Sequence, residues 1–96
     1  MSKDDEKIPG PAPVIKKPDE DAVISNPVTI SGLDPNGGTV GIYKQGPDGY
    51  LVEIGRAIGA TWSLTTTLAV GVYKIQATSI IPGYSYYSPV RTFTVR

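Results

Sequence analysis

Apolar and polar residues alternate with a period of two along most of the chain beyond residue 13, with frequent interruptions by Gly, Pro and Asn. Successive side chains of a β-strand point to opposite faces, so this pattern predicts half-buried strands rather than helices. The predicted strands lie at 14–16, 28–32, 39–43, 50–54, 61–65, 72–78 and 88–95. Seven short strands at spacings of about 8–12 residues predict an all-β sandwich of antiparallel strands in two sheets.

Turn-forming sequences lie where the alternation stops. Asp34-Pro-Asn-Gly-Gly38 combines a proline of fixed φ with an Asn-Gly pair that accepts positive φ, and Gly46-Pro-Asp-Gly49 is a second turn. Pro18 ends the first strand, whereas Pro27 stands where a strand begins and needs no ladder donor. The turns therefore separate strands that reverse direction.

The inward positions of these strands form the predicted core. Trp62 and Leu64 share one face of their strand, and Tyr73, Ile75 and Ala77 share one face of theirs. The candidates are Val28, Ile30, Val40, Ile42, Val52, Ile54, Trp62, Leu64, Leu68, Tyr73, Ile75, Phe93 and Val95. Since the chain has no Cys, packing rather than disulfides has to stabilise this core.

Charge and proline content divide the 96 residues into two parts. Six of the nine acidic residues lie before residue 22, and the segment 8–13 holds three prolines, which favour extended backbone without ladder hydrogen bonds. We therefore interpret residues 1–12 as a flexible Pro-rich charged linker and residues 13–96 as one folded domain.

The composition argues against several functions. Without His or Cys the chain has no Ser-His-Asp or Cys-His catalytic set and no zinc site built on those ligands, so we expect neither an enzyme nor a cofactor. The bases are scattered rather than clustered, which disfavours nucleic acid as a partner. No apolar run approaches the roughly 20 residues of a membrane span, and the first residues lack the apolar core of a signal peptide.

Four segments resemble successive strands of bacterial immunoglobulin-like repeats: 22–32, 39–43, 60–64 and 68–77. The resemblance covers about residues 13–96. It implies an immunoglobulin-like sandwich of the kind found in tandem in bacterial surface adhesins and as single domains in phage tail and capsid decoration proteins. It further implies exposure on a cell or virion surface, with the parent polypeptide or the virion as the permanent partner.

The spacing of Leu68, Gly71 and Tyr73 resembles the tyrosine corner, in which a tyrosine near the start of strand F bonds to upstream backbone. With Trp62 these are the expected structural residues. The chain departs from antibody domains because it has no disulfide and because Trp62 precedes strand F, on what we interpret as strand E.

Tyr84, Tyr86 and Tyr87 fall in the predicted F–G loop and form the candidate ligand surface. Tyrosine combines a large contact area with a polar tip, so these rings would stack on a cell-surface glycan or a protein partner. The alternative is that Tyr84 or Tyr87 covers the open end of the core. Exposure of the three rings distinguishes the two interpretations.

Two other segments carry weaker hypotheses. Asp19-Glu-Asp21 offers carboxylates for calcium, against the interpretation as a solvated loop offset by Lys16 and Lys17. Thr65-Thr-Thr67 is an adhesive or glycosylated patch or, more simply, the end of a strand.

Two functions therefore follow from the sequence. The first is a non-enzymatic display or interaction module of a larger bacterial surface protein or phage virion, which acts as a spacer or weak adhesion domain and is monomeric in isolation. The alternative is a dedicated carbohydrate- or host-surface-binding module that uses the three tyrosines.

Overall fold

The computed structural model describes residues 11–96, which form eight strands in two facing sheets. Residues 1–10, and with them most of the predicted linker, lie outside the described part. The strands are β1 (Val14–Lys17), β2 (Ala22–Ile24), β3 (Val28–Leu33), β4 (Thr39–Gln45), β5 (Leu51–Ile58), β6 (Thr61–Thr66), β7 (Gly71–Ser79) and β8 (Arg91–Val95).

The smaller sheet has the strand order β1-β3-β6 and the larger has β2-β8-β7-β4-β5. Neighbouring strands run antiparallel except for β2 and β8, which are parallel and place Ala22 opposite Phe93. The predicted all-β sandwich of two sheets is confirmed. No helix in residues 11–96 is long and apolar enough to cross a membrane.

The chain crosses from the smaller sheet to the larger between β1 and β2. Asp21, with φ of +64°, turns the chain at this crossing. The Arg91 guanidinium donates to the carbonyls of Ile15 at 2.8 Å and Pro18 at 2.6 Å, and it lies 3.5 Å from a carboxylate oxygen of Glu20. Long-range contacts therefore create β2, which the antiparallel seven-strand prediction does not contain.

The core lies between the two sheets. Trp62, Phe93 and Ile30 are fully buried, and Trp62 packs so closely on Gly32 that a Cβ there would lie 2.7 Å from the indole. Most predicted core positions are buried, whereas Ile54, Leu64 and Leu68 are partly buried against the core. Ile15 and Ala57 are also buried, although neither was among the predicted core residues.

The prediction of Val52 as a core residue is wrong, because its side chain is 49% exposed. Val52 lies on β5, the edge strand of the wider sheet, opposite Lys44. The register between β4 and β5 also shifts between Ile42 and Tyr43, so simple alternation does not continue through this strand.

Two predicted strand boundaries also differ. β5 continues to Ile58 rather than ending at Ile54, and β8 begins at Arg91 rather than at Ser88. Ser88 still bonds to Ala77 of β7, but Pro89 has no N–H to continue the ladder.

The described chain enters at one end of the sandwich and leaves at the other. Val14 pairs with Leu33 at the end of β3, so the chain enters beside the β3–β4 turn (residues 34–38). The β7–β8 loop (residues 80–90) lies at the same end, because the Ile80 N–H donates to the Thr39 carbonyl at 2.9 Å. We call this the upper end. Val95, opposite Gly71 at the start of β7, marks the lower end.

Candidate functional site

The three predicted tyrosines all lie in the β7–β8 loop, the F–G loop of immunoglobulin nomenclature. Tyr86 is 63% exposed, Tyr87 is 42% exposed and Tyr84 is half-buried. The rings form two separate pairs. Tyr84 and Tyr86 meet edge to face with centroids 5.2 Å apart, while Tyr87 packs at 6.1 Å against Tyr43 of β4. The rings are neither all freely exposed nor mostly buried. Their exposure therefore does not decide between a ligand surface and a cover for the open end of the core.

A tight turn at the tip of the loop positions the first pair. The Tyr84 N–H donates to the Ile81 carbonyl at 2.9 Å, and Pro82 and Gly83 occupy the two central positions. Gly83 has φ of +80°, which suits the second central position of a type II turn. The sequence Ile-Pro-Gly-Tyr thus fixes where Tyr84 leaves the turn.

The rest of the loop is fastened to β7. Thr78 Oγ1 donates to the Tyr86 carbonyl at 2.6 Å, and the backbone of Ser88 donates to the Ala77 carbonyl at 2.8 Å. The buried Ser88 hydroxyl accepts the Ala77 N–H at 2.9 Å, while Gln76 Nε2 donates to the Ser88 carbonyl at 3.0 Å. Tyr86 and Tyr87 are therefore held on a rigid support rather than on a free loop.

Tyr43 belongs to this surface, although the sequence analysis did not single it out. It lies on the outer face of the larger sheet, and a Cβ at Gly41 would approach both Tyr43 Cε1 and Ile80 Cδ1 to 2.9 Å. Gly41 therefore gives the ring and the loop room to meet. In the sequence, Tyr43 could have been recognised as an outward-facing residue of a predicted strand. Alternation alone does not show which loop residue packs against it.

An ion pair lies next to Tyr43. Arg56 binds the Glu53 carboxylate through two nitrogens, at 2.7 and 3.3 Å, and Glu53 is the cross-strand neighbour of Tyr43. Partial burial raises the pKa of the Tyr43 phenol, with smaller contributions from Glu53 and Tyr87 that outweigh the opposing effect of Arg56.

A second polar cluster organises the β3–β4 turn at the upper end. The buried Asp34 carboxylate accepts the backbone N–H groups of Asn36 at 3.0 Å and Gly38 at 3.1 Å, and the Ser79 hydroxyl at 3.1 Å. Asn36 Nδ2 in turn lies 2.9 Å from Ser79 Oγ and 3.5 Å from the Tyr84 hydroxyl. The turn and the β7–β8 loop are therefore joined through side chains.

The four expected structural residues lie away from this surface, Trp62 in the core and the other three toward the lower end. The Tyr73 hydroxyl donates to the Ala69 carbonyl at 2.7 Å, while its ring stacks on Phe93 at 5.6 Å. The Leu68 backbone is clamped by the Asn26 side chain, which accepts its N–H at 2.9 Å and donates to its carbonyl at 2.7 Å. Gly71 has φ of +153°, a value that other residues rarely adopt.

The acidic segment 19–21 and the threonines have other partners. Lys17 pairs with Asp19 at 3.1 Å, and Glu20 accepts the Thr92 N–H at 3.0 Å. Within residues 11–96 no three potential ligands are grouped as a metal site would need. Thr65 lies near the end of β6, opposite Thr29 of β3, and the two hydroxyls are 3.0 Å apart.

Comparison with known proteins identifies the fold. No family model matches the chain, and no curated protein matches it. Among solved structures, the fibronectin(III)-like modules of Clostridium thermocellum CbhA are similar, with a TM-score of 0.65 and 20% sequence identity. The match covers 86% of this chain and 93% of that one. The chain therefore has an immunoglobulin-like β-sandwich fold similar to that of a fibronectin(III)-like module.

Proposed function

We propose that this chain is a non-catalytic immunoglobulin-like module of a larger bacterial surface protein or phage virion, where it acts as a spacer that displays its upper end. The observation that carries this proposal is the path of the chain, which enters at the upper end and leaves at the lower end. Modules with this geometry join end to end, and the nine residues of β7 give each about 30 Å of length.

The side-chain chemistry of the described domain supports a non-catalytic role. The carboxylate of Asp34 is buried within its turn, that of Asp48 accepts the Tyr50 N–H at 3.1 Å and that of Glu53 binds Arg56. These acids therefore serve structural hydrogen bonds at three separate places. General acid–base hydrolysis needs two carboxylates that converge on one substrate bond.

A tandem fusion tests the spacer role. Two copies of the full chain, joined head to tail, are examined by small-angle X-ray scattering beside the single chain. End-to-end joining predicts that the maximum dimension rises by about 30 Å or more. A maximum dimension that stays near that of one module would mean that the copies pack side by side, which would contradict the proposal.

The exposed Tyr86 and Tyr87 favour a second candidate function, recognition of a glycan or host-surface protein through Tyr84, Tyr86 and Tyr87. Their support on β7 favours binding because little loop entropy remains to be lost. The tyrosines and the Glu53–Arg56 pair would together offer ring contacts and charged hydrogen-bonding groups to a sugar.

Proton–nitrogen correlation spectra of the full chain, titrated with a glycan panel, polysaccharide and calcium, test this second function. Saturable shifts confined to residues 83–88 and to Tyr43 would support recognition, and Tyr87→Ala should abolish them. Tyr50→Ala is the matched control, since Tyr50 is 74% exposed on the β4–β5 turn at the lower end. Unchanged spectra throughout the panel would contradict recognition and leave the spacer role as the one remaining proposal.

A further inference from the structure

The chain enters the fold beside the Tyr84–Tyr86 pair. Pro13 is fully buried, and the Pro11 carbonyl accepts a hydrogen bond from Asn36 Nδ2 at 3.3 Å. The same nitrogen lies 3.5 Å from the Tyr84 hydroxyl. Asn36 therefore connects the first described residue of the domain directly to the aromatic pair.

The two rings form a corner rather than a flat platform. Their planes meet at 84° with centroids 5.2 Å apart, and Tyr86 keeps 63% of its surface exposed. A right-angled pair of rings offers one ring face and one ring edge to an apolar group, and a proline ring fits such a corner. Aromatic-lined grooves are the usual receptors for extended proline-rich segments.

The residues that precede Pro11 have the matching chemistry. Ile8-Pro9-Gly10 is the apolar part of an otherwise charged segment, and three extended residues reach at most about 10 Å, enough to pass over the adjacent rings. Proline restricts the chain to extended conformations before binding, so little entropy is lost when it docks. The position, the length and the proline content of residues 8–10 all suit contact with the Tyr84–Tyr86 pair.

We propose that Tyr84 and Tyr86 form a seat for residues 8–10 of the same chain. Docking there fixes the direction in which the polypeptide leaves the upper end, and so sets the angle between this module and whatever is joined to it. This inference adds to the proposed spacer role, because it makes the junction stiff. The seat leaves Tyr87 and Tyr43 available for a partner.

Backbone nitrogen relaxation of the full chain tests the seat through the amides of Ile8 and Gly10. We expect order parameters near the value of about 0.85 that is typical of rigid backbone, and contacts between Pro9 protons and the Tyr86 ring in nuclear Overhauser spectra. Tyr86→Ser should lower both order parameters below about 0.6, the flexible range, while the dispersion of the core signals is retained. Tyr50→Ser, which changes an exposed tyrosine at the lower end, should leave them unchanged.

Three outcomes would overturn the proposal. Order parameters below about 0.6 in the unaltered chain would show that the segment does not dock. Equal values in the unaltered and Tyr86→Ser chains would place the contact elsewhere. Ordering that disappears on tenfold dilution would identify a second copy, rather than the same chain, as the source of the segment. The relaxation measurement reports on the seat alone, whereas the scattering experiment reports on the spacer.

Discussion

Truncation of Trp62 tests the account of the core most directly. The indole is fully buried between the two sheets, with 0% of its surface exposed. A tryptophan buries about 150–250 Å², worth roughly 4–6 kcal/mol at about 25 cal/mol per Å². We expect Trp62→Ala to lower the free energy of unfolding by about 3–5 kcal/mol, more than any other single truncation to alanine.

The indole nitrogen makes a second variant informative. Trp62 Nε1 is buried and has no hydrogen-bond partner within residues 11–96. An unpartnered buried donor costs about 1–3 kcal/mol, and phenylalanine removes this donor while it keeps much of the ring. Trp62→Phe should therefore cost less than about 2 kcal/mol, because the relief of the donor offsets part of the lost packing.

Urea unfolding followed by far-UV circular dichroism measures both variants, since Trp62 is the single tryptophan and its fluorescence is lost with it. Tyr50→Ala serves as the exposed aromatic control and should change stability by less than about 0.5 kcal/mol. A loss below about 1 kcal/mol for Trp62→Ala would refute the burial argument. Equal losses for the two Trp62 variants would refute the argument from the unpartnered nitrogen.

Three further predictions concern polar groups. Tyr73→Phe removes the bond to the Ala69 carbonyl and should cost about 1 kcal/mol in urea unfolding, whereas Tyr50→Phe should cost nothing measurable. Asp34→Ala removes the acceptor of three hydrogen bonds, one of them from the buried Ser79 hydroxyl, and should cost about 2–3 kcal/mol by the same assay; an unchanged midpoint would mean that the turn does not depend on the carboxylate. The raised pKa of Tyr43 contributes stability that is complete below about pH 10 and is lost as pH rises through the folded-state pKa. Tyr43→Phe should therefore unfold with a weaker dependence on alkaline pH, and an identical dependence would exclude Tyr43 as the cause.

Alternation within each strand was sufficient to predict the sandwich and most of its core. Trp62, Tyr73 and Phe93 are buried as their positions in the pattern indicate, because the face of a strand residue depends only on its neighbours in sequence once the strand exists. The turns at 34–38 and 46–50 were equally readable, since Gly and Pro act through the local backbone.

The errors arise where contacts distant in sequence decide the structure. β2 has three residues and exists because the chain between β1 and β2 is tied to Arg91, about 70 residues further along. Val52 is exposed because β5 is the edge strand of the wider sheet and its register with β4 shifts near Tyr43. The alternation of apolar and polar residues does not show where the chain crosses from one sheet to the other. It also does not show which strand lies at the edge of the larger sheet.

The candidate surface was predicted in part for the same reason. Three of its tyrosines follow from their place in a loop, whereas Tyr43 joins them because Gly41 leaves room and the loop folds back along β7. Their closeness in sequence predicts that the three loop rings form one cluster. The structure divides them into a pair beside the chain entry and a pair with Tyr43, because the Thr78 and Ser88 bonds fix the loop backbone between them.

This division changes how the two functions relate to each other. A spacer requires a defined junction with its neighbour, and the pair that lies beside the entering chain is Tyr84–Tyr86. Recognition requires rings held in place but open to a ligand, and Tyr87 on Tyr43 meets that description beside the Glu53–Arg56 pair. Since the two pairs share no ring, a single module has room for both roles. Substitutions in one pair should then leave the role of the other intact.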